Sequence, residues 1–211
     1  MKHFLMILLA GLTLVVSTSS SFAFDGDRKG FVFGAGLGVG YVSIDRTIEI
    51  SDGDEDSELD DGFGFATRIE AGFGHNQQMI YAFEVRSRWF KETYRVGYPG
   101  SGKNSSSNVL TLLGGPTLTY FTEPSVPSFY VGGGPAIVFV TDELNMTILS
   151  SGPRNLDAWG PGLVLKCGYE FSRHFDISFE FVAGFPSETT GTEDMSATLL
   201  GLTVSFNWLG Y

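Results

Sequence analysis

A strict two-residue alternation over positions 159–185 constrains the fold of this chain more than any other feature. On both sides of a short break, the odd positions are apolar and rich in aromatics, while the even positions carry glycines together with Lys166, Glu170 and Glu180. Side chains of a β-strand point alternately to the two faces of a sheet. The stretch therefore predicts a long β-hairpin with one apolar face and one face of glycines and charges.

The polarity of these two faces is the reverse of that in a soluble barrel. Soluble sandwiches and ligand-carrying barrels bury their aromatic side chains and expose their charges to water. Bilayer-spanning barrels turn an apolar, aromatic-rich surface to lipid and keep a polar interior. The hairpin therefore indicates a transmembrane barrel.

The same alternation recurs along the chain and predicts eight strands, at 31–45, 62–75, 81–89, 108–122, 129–139, 159–171, 175–185 and 200–208. Short turns follow the second, fourth and sixth strands, and long loops follow the first, third, fifth and seventh, at 46–61, 94–107, 142–157 and 186–194. Outer-membrane barrels combine tight periplasmic turns with long outer loops in this way. The predicted fold is all-β, an eight-stranded antiparallel up-and-down transmembrane β-barrel.

The N-terminal residues predict a cleavable signal peptide that precedes the barrel. A basic start at Lys2 leads into an apolar run over 4–16, and Ser-Phe-Ala at 21–23 is a small-x-small cleavage pattern. The apolar run is shorter than the roughly 20 residues that a membrane-spanning helix needs. We therefore divide the chain into a signal peptide at 1–23 and an outer-membrane β-barrel domain at 24–211.

The acidic balance of the chain bears on its partners. The formal net charge is −11, and phosphate binding needs a basic patch, so nucleic acid is excluded as a partner. The run Arg46–Asp61 carries eight carboxylates and predicts a solvated loop, not a strand.

That acidic run contains a motif that begins like a calcium loop. Asp52 opens a D-x-D-x-D pattern, but Ser57 replaces the glycine of the sixth position and Phe63 replaces the glutamate of the twelfth. An EF-hand is therefore excluded, although loose divalent-cation binding stays open. We predict no defined metal site and no cofactor.

Three Gly-Pro pairs lie inside predicted strands, at Gly115-Pro116, Gly134-Pro135 and Gly160-Pro161. Proline removes a hydrogen bond from the ladder and is rare in a central strand. The adjacent glycine allows a local distortion. We expect a bulge or bend at these sites that curves the barrel wall.

Charged side chains recur on the predicted inward face of the strands. The four cations and four carboxylates are Arg68, Arg86, Arg88, Lys166, Glu70, Glu84, Glu170 and Glu180. Unpaired charges in a narrow lumen are costly, so we expect them to pair into a polar plug with a structural role. Eight strands leave an interior that side chains fill, not an open aqueous channel.

The segments Gly168–Ser172 and Phe175–Glu180, together with the closing strand Leu200–Tyr211, resemble the small eight-stranded outer-membrane barrels, a group that includes OmpA-like, OmpX/Ail-like and opacity-type proteins. The resemblance implies a location in the bacterial outer membrane, in contact with its lipids and lipopolysaccharide. It also implies insertion by the outer-membrane assembly machinery, which recognises an aromatic-ended last strand. Tyr211 supplies that aromatic residue, on the opposite face from Trp208.

Three functions are compatible with such a barrel. We favour a non-enzymatic structural and surface-interaction role, adhesin-like, in which four surface loops meet a host or surface ligand. The alternative is a narrow pore or small-molecule conduit. A lipid A-modifying enzyme is least favoured, because His75 and His174 both lie beside short turns, far from the outer leaflet where such enzymes place a general base. We therefore predict no catalytic residue.

Overall fold

The computed structural model describes residues 28–50, 55–96, 103–144, 154–190 and 193–211. The predicted signal peptide lies outside these residues, as do Asp52 and Asp54 of the acidic motif. Within the described ranges, no helix is long and apolar enough to cross a membrane.

Nine strands follow one another along the described chain. They are β1 (Gly30–Ile50), β2 (Glu55–Asn76), β3 (Met79–Val96), β4 (Lys103–Phe121), β5 (Ser128–Leu144), β6 (Arg154–Ser172), β7 (Phe175–Gly184), β8 (Ser187–Thr190) and β9 (Glu193–Gly210). Each long strand pairs with the next in antiparallel fashion, and β1 pairs with β9, which closes the sheet. The four-residue β8 pairs with the loop-side end of β9. Eight strands thus form a closed barrel, which confirms the predicted fold.

The two faces of the barrel have the predicted, inverted polarity. Leu37 and Phe63 are 71% and 78% exposed on the outer surface, whereas Glu84 and Arg86 are 0% and 3% exposed. Outward aromatic rings contact one another, as between Phe129 and Tyr169, whose ring centroids are 4.6 Å apart. A closed ring of strands leaves no unpaired edge, so every strand can bury its backbone polar groups in lipid.

The long loops are the part of the sequence-based description that is wrong. β1 continues to Ile50 and β2 begins at Glu55, and their ladder extends to the pair formed by Glu49 and Glu55. Strand residues likewise occupy parts of the predicted loops at 94–107, 142–157 and 186–194. The reason is that ladder bonds join backbone groups and do not depend on side-chain charge. A run of carboxylates can therefore remain a strand.

Of the predicted bulge or bend at the Gly-Pro pairs, the bulge is wrong, because the strand register does not shift there, and the bend stays a prediction. The register shifts recorded in the described strands lie beside turns, after Gly74 and after Glu170. The β4–β5 ladder keeps one register throughout but is interrupted over 115–117. In that register Pro116 and Pro135 face each other directly, and neither has an N–H to donate. The chain therefore responds with a gap in the ladder instead of an extra residue.

Candidate functional site

The register of neighbouring strands stacks charges inside the barrel. Between β2 and β3, Arg68 lies opposite Arg86 and Glu70 lies opposite Glu84. Like charges placed directly opposite one another destabilise a strand pair. These four side chains therefore need partners from strands on other parts of the ring.

Glu180, on β7, supplies the first of these partners across the lumen. Its Oε1 accepts a hydrogen bond from Arg68 Nη1 at 3.0 Å, and its Oε2 accepts one from Arg86 Nε at 3.1 Å. Arg68 Nη2 also donates to Glu70 Oε1 at 3.1 Å. One carboxylate thus joins two guanidinium groups that repel each other across β2 and β3.

Lys166, on β6, supplies the second partner. Its ammonium group forms ion pairs with Glu84 and, at 3.5 Å, with Glu70. Glu84 also pairs with Arg86, and Thr117 donates a hydrogen bond to Glu84 Oε1 at 2.7 Å. We call the resulting network the charged belt, whose members are Arg68, Glu70, Glu84, Arg86, Lys166 and Glu180.

Two of the eight charged residues that the sequence placed on the inward face, Glu170 and Arg88, do not belong to the charged belt. The sequence did not indicate this difference. Glu170 pairs with Arg28, a residue that precedes the first strand. Arg88 is buried and donates from Nε to Thr203 Oγ1 at 2.9 Å, but its Nη1 and Nη2 have no hydrogen-bond partner. The two-residue alternation predicts which face of the sheet a side chain occupies. It does not predict which ion-pair partner the closed barrel places across the lumen.

The sequence interpretation missed two residues that close the turn-side end of the lumen. Arg28 donates to the carbonyl oxygens of Gln77 and Glu123 at 2.9 and 2.8 Å, and its guanidinium carbon lies 4.0 Å from the centroid of the Phe121 ring. Tyr211 is buried, and its hydroxyl donates to Glu170 Oε1 at 2.5 Å. The opposite parity of Tyr211 and Trp208 was a usable signal for an inward Tyr211, whereas Arg28 offered none.

Asp176 is a further buried carboxylate near this end. Its Oδ1 accepts hydrogen bonds from Tyr130 at 2.5 Å and from Asn207 Nδ2 at 2.7 Å. The negative charge of Asp176 is therefore stabilised by hydrogen bonds from neutral donors. Asn207 Nδ2 also donates to Ser178 Oγ at 3.0 Å, which continues the polar lining towards the charged belt.

Apolar side chains seal the lumen on both sides of the charged belt. The loop-side layer consists of Val42, Ile44, Phe90, Val109, Leu113, Ala136, Val138, Val140, Val164, Val182, Ala197 and Leu199. The turn-side layer consists of Val32, Ile80, Ala82, Phe121, Tyr130, Leu209 and Tyr211. Two cavities that border the charged belt measure about 10 Å³ each, which is room for about one water molecule.

Comparison with known proteins gives likenesses of fold at low sequence identity. No protein-family model matches the sequence, and no curated protein matches it. Outer membrane protein OprG from Pseudomonas aeruginosa is 11% identical over 87% of this chain and 98% of its own, with a TM-score of 0.49. Ail, the attachment invasion locus protein of Yersinia pestis, is 9% identical over 85% of this chain and 99% of its own, with a TM-score of 0.35. Neisserial surface protein A is 15% identical over 80% of this chain and 96% of its own, also with a TM-score of 0.35.

The geometry of the chain itself therefore defines its class. Lipid-compatible side chains cover the outer wall, and the ionised groups are enclosed with partners or in small cavities. An aqueous environment favours neither arrangement. The chain is a bilayer-spanning, eight-stranded β-barrel of the outer-membrane type.

Proposed function

We propose that this chain is a non-enzymatic outer-membrane barrel whose sealed body holds an interaction surface at the loop-side strand ends, in an adhesin-like role. The observation that carries the proposal is the enclosure of the charged belt between two apolar layers. A lumen filled in this way serves stability, which leaves the ends of the strands as the part available to partners.

The packing of the lumen counts against the conduit alternative. A permeating ion would have to separate buried ion pairs such as that of Glu180 with Arg68 and then cross an apolar layer. Removing one partner from a buried pair costs about 3–5 kcal/mol, and a bare ion in an apolar layer costs more. We therefore propose that the folded barrel does not conduct.

Backbone register gives the loop-side surface a charge pattern. β1 pairs with both β2 and β9 up to its loop-side end, and residues 46–50 and 55–61 of the acidic run belong to β1 and β2. Glu193 and Asp194 of β9 pair with residues 50 and 49 of β1. The next strands round the ring, β3 and β4, carry Lys91, Arg95 and Lys103. This asymmetry favours a partner with a basic surface that approaches the β1–β2–β9 side.

We also propose which molecules surround the barrel and insert it into the membrane. Lipid and lipopolysaccharide contact the apolar outer wall, and the outer-membrane assembly machinery inserts the chain. The buried position of Tyr211 means that any recognition of this residue precedes the closure of the barrel, because its ring is enclosed in the folded state.

Adhesion of cells tests the interaction role. Cells that display the wild-type chain are compared with cells that display a variant in which Glu58, Asp60 and Asp61 are replaced by Gln, Asn and Asn. Binding to a panel of immobilised matrix proteins of different charge is measured, and heat-dependent mobility on gels verifies that both barrels are folded. We expect the variant to lose binding to the basic members of the panel. Equal binding by the two strains, or by cells without the barrel, would contradict the proposal.

Two further measurements separate the proposal from its alternatives. Purified barrel inserted into planar bilayers should give no discrete conductance steps, whereas regular steps would favour the conduit. Mass spectra of lipid A from expressing and non-expressing cells should be identical, whereas a gained or lost acyl chain would favour an enzyme.

A further inference from the structure

Arg88 is a buried cation without a carboxylate. It is 3% exposed, and the contact of its guanidinium group that the structure shows is the hydrogen bond from Nε to Thr203. Its Nη1 and Nη2 have no partner. Thr111, the residue directly opposite Arg88 in the β3–β4 register, is fully buried, and its hydroxyl also lacks a partner. Unused donors from two neighbouring strands therefore occur at one level of the lumen.

A cavity of about 10 Å³ lies beside this guanidinium group. Its lining includes three guanidinium groups, those of Arg68, Arg86 and Arg88, but one carboxylate, that of Glu180. Both oxygens of Glu180 already accept hydrogen bonds from the other two arginines. The cavity lining therefore has an excess of positive charge. Its unpartnered donors are Nη1 and Nη2 of Arg88 and Nε of Arg68, whereas Nη2 of Arg86 pairs with Glu84.

The remaining charges of the described lumen do not supply the missing anion. The five buried cations, Arg28, Arg68, Arg86, Arg88 and Lys166, equal in number the five buried carboxylates, Glu70, Glu84, Glu170, Asp176 and Glu180. Asp176 is the carboxylate held by neutral donors. It lies four residues from Glu180 along β7, which is about 13 Å of strand. The buried charges are therefore equal in number, but no carboxylate in the described part of the chain pairs with the guanidinium group of Arg88.

We propose that the Arg88 cavity binds one small monovalent anion of the halide class, with chloride as the common physiological member. The guanidinium Nη atoms of Arg88 donate to it; Thr111 lies opposite Arg88 in the β3–β4 register but does not line the cavity and is not part of this site. Charge-assisted hydrogen bonds of this kind are strong in a region that excludes water, and Phe90, the next inward residue of β3 towards the loops, belongs to the loop-side apolar layer. A sulfate or phosphate ion is too large for a cavity of this volume.

Bromide provides the direct test, because it substitutes for chloride and scatters anomalously. Wild-type barrel is refolded and crystallised in bromide, and anomalous difference density is measured. In parallel, thermal unfolding is followed in bromide, chloride and gluconate at equal ionic strength. We expect a bromide peak within hydrogen-bond distance of Arg88. We also expect a melting temperature that rises with the logarithm of halide concentration, because only the folded state binds the ion.

Two variants separate an anion site from a structural arginine. Arg88→Met removes the cation, so it should lose both the peak and the dependence on halide. In gluconate it should be at least as stable as the wild type, because it no longer buries an uncompensated charge. Lys91→Met removes an exposed cation of the same strand and should leave the halide dependence unchanged. If Arg88→Met does not fold, Arg88→Lys and the wild-type halide titration still decide the question.

The proposal fails if the cavity of the bromide-grown crystal contains water or nothing while bromide occupies only surface positions. It fails equally if wild-type melting temperatures in halide and gluconate coincide, or if Arg88→Met retains the halide dependence.

Discussion

Single charged residues inside this barrel differ widely in how many partners depend on them. Glu180 accepts from Arg68 and from Arg86, so it is the carboxylate shared by two guanidinium groups that face each other across β2 and β3. We expect Glu180→Gln to lower the free energy of unfolding by about 3–5 kcal/mol, because it leaves buried cations without their counter-charge. Urea unfolding in lipid vesicles, followed by tryptophan fluorescence, measures this change.

Asp45→Asn is the matched control for Glu180→Gln. It makes the same change from acid to amide at an exposed position of β1, and it should change stability by less than about 0.5 kcal/mol. If both variants unfolded at the wild-type urea concentration, the charged belt would not have the stabilising role that its geometry indicates.

Neighbouring glycines of β4 give a second test at this scale. A Cβ atom at the inward Gly115 would lie 2.1 Å from the carbonyl oxygen of Pro135, whereas one at the outward Gly114 would lie 3.7 Å from its nearest neighbour, a ring carbon of Phe83. Backbone atoms move less readily than side-chain ends, so we expect Gly115→Ala to destabilise the barrel by about 1–3 kcal/mol. Gly114→Ala should be tolerated. Comparison of the two unfolding midpoints checks the difference, and equal midpoints would contradict it.

At the scale of the strands, the β4–β5 ladder is interrupted in its middle. Antiparallel ladders place two hydrogen bonds at every second residue pair. With Pro116 and Pro135 opposite each other, both bonds of one such pair lack a donor, and this accounts for the interruption over 115–117. Glycine precedes both prolines, so inward positions without a Cβ accompany the gap.

Restoring one donor should therefore strengthen this ladder. We expect Pro116→Val, or Pro135→Val, to supply the missing N–H and to raise the free energy of unfolding by about 1 kcal/mol. Hydrogen exchange of β4 and β5 amides, measured in micelles, should slow beside the substitution. Unchanged exchange in both variants would show that the gap is not caused by the missing donors.

The strands also show how far the sequence determines this structure. Lipid favours apolar side chains at outward positions, so the period of two is legible in the eight predicted strands between residues 31 and 208 and predicts both faces. Beyond the bilayer this requirement ends, and the strand ends near Ile50 and Glu55 could not be told from loops. Within the lumen, the alternation placed Arg88 and Glu170 on the inward face. It could not show that the ring leaves one of them unpaired and pairs the other with Arg28.

At the scale of the whole molecule, both ends of the described chain meet the same carboxylate. Arg28 precedes β1, and Tyr211 follows β9, and these two strands form the seam that closes the barrel. Both side chains bind Glu170, which lies on β6. The closing seam is therefore tied through the lumen to a strand elsewhere on the ring, in addition to its own backbone ladder.

This tie predicts that substitutions of Arg28 and of Tyr211 weaken the closed barrel to different extents. Arg28→Ala removes the ion pair with Glu170, two bonds to backbone carbonyls and the contact with Phe121, so we expect a loss of about 3–5 kcal/mol. Tyr211→Phe removes one hydrogen bond to a charged group and should cost about 1.5–3 kcal/mol. The temperature at which the folded band disappears on gels, together with urea midpoints, measures both losses. Lys29→Ala, beside Arg28 but exposed, should match the wild type. If Arg28→Ala also matched it, the contacts of Arg28 would not contribute to stability, and the ladder between β1 and β9 would close the barrel without them.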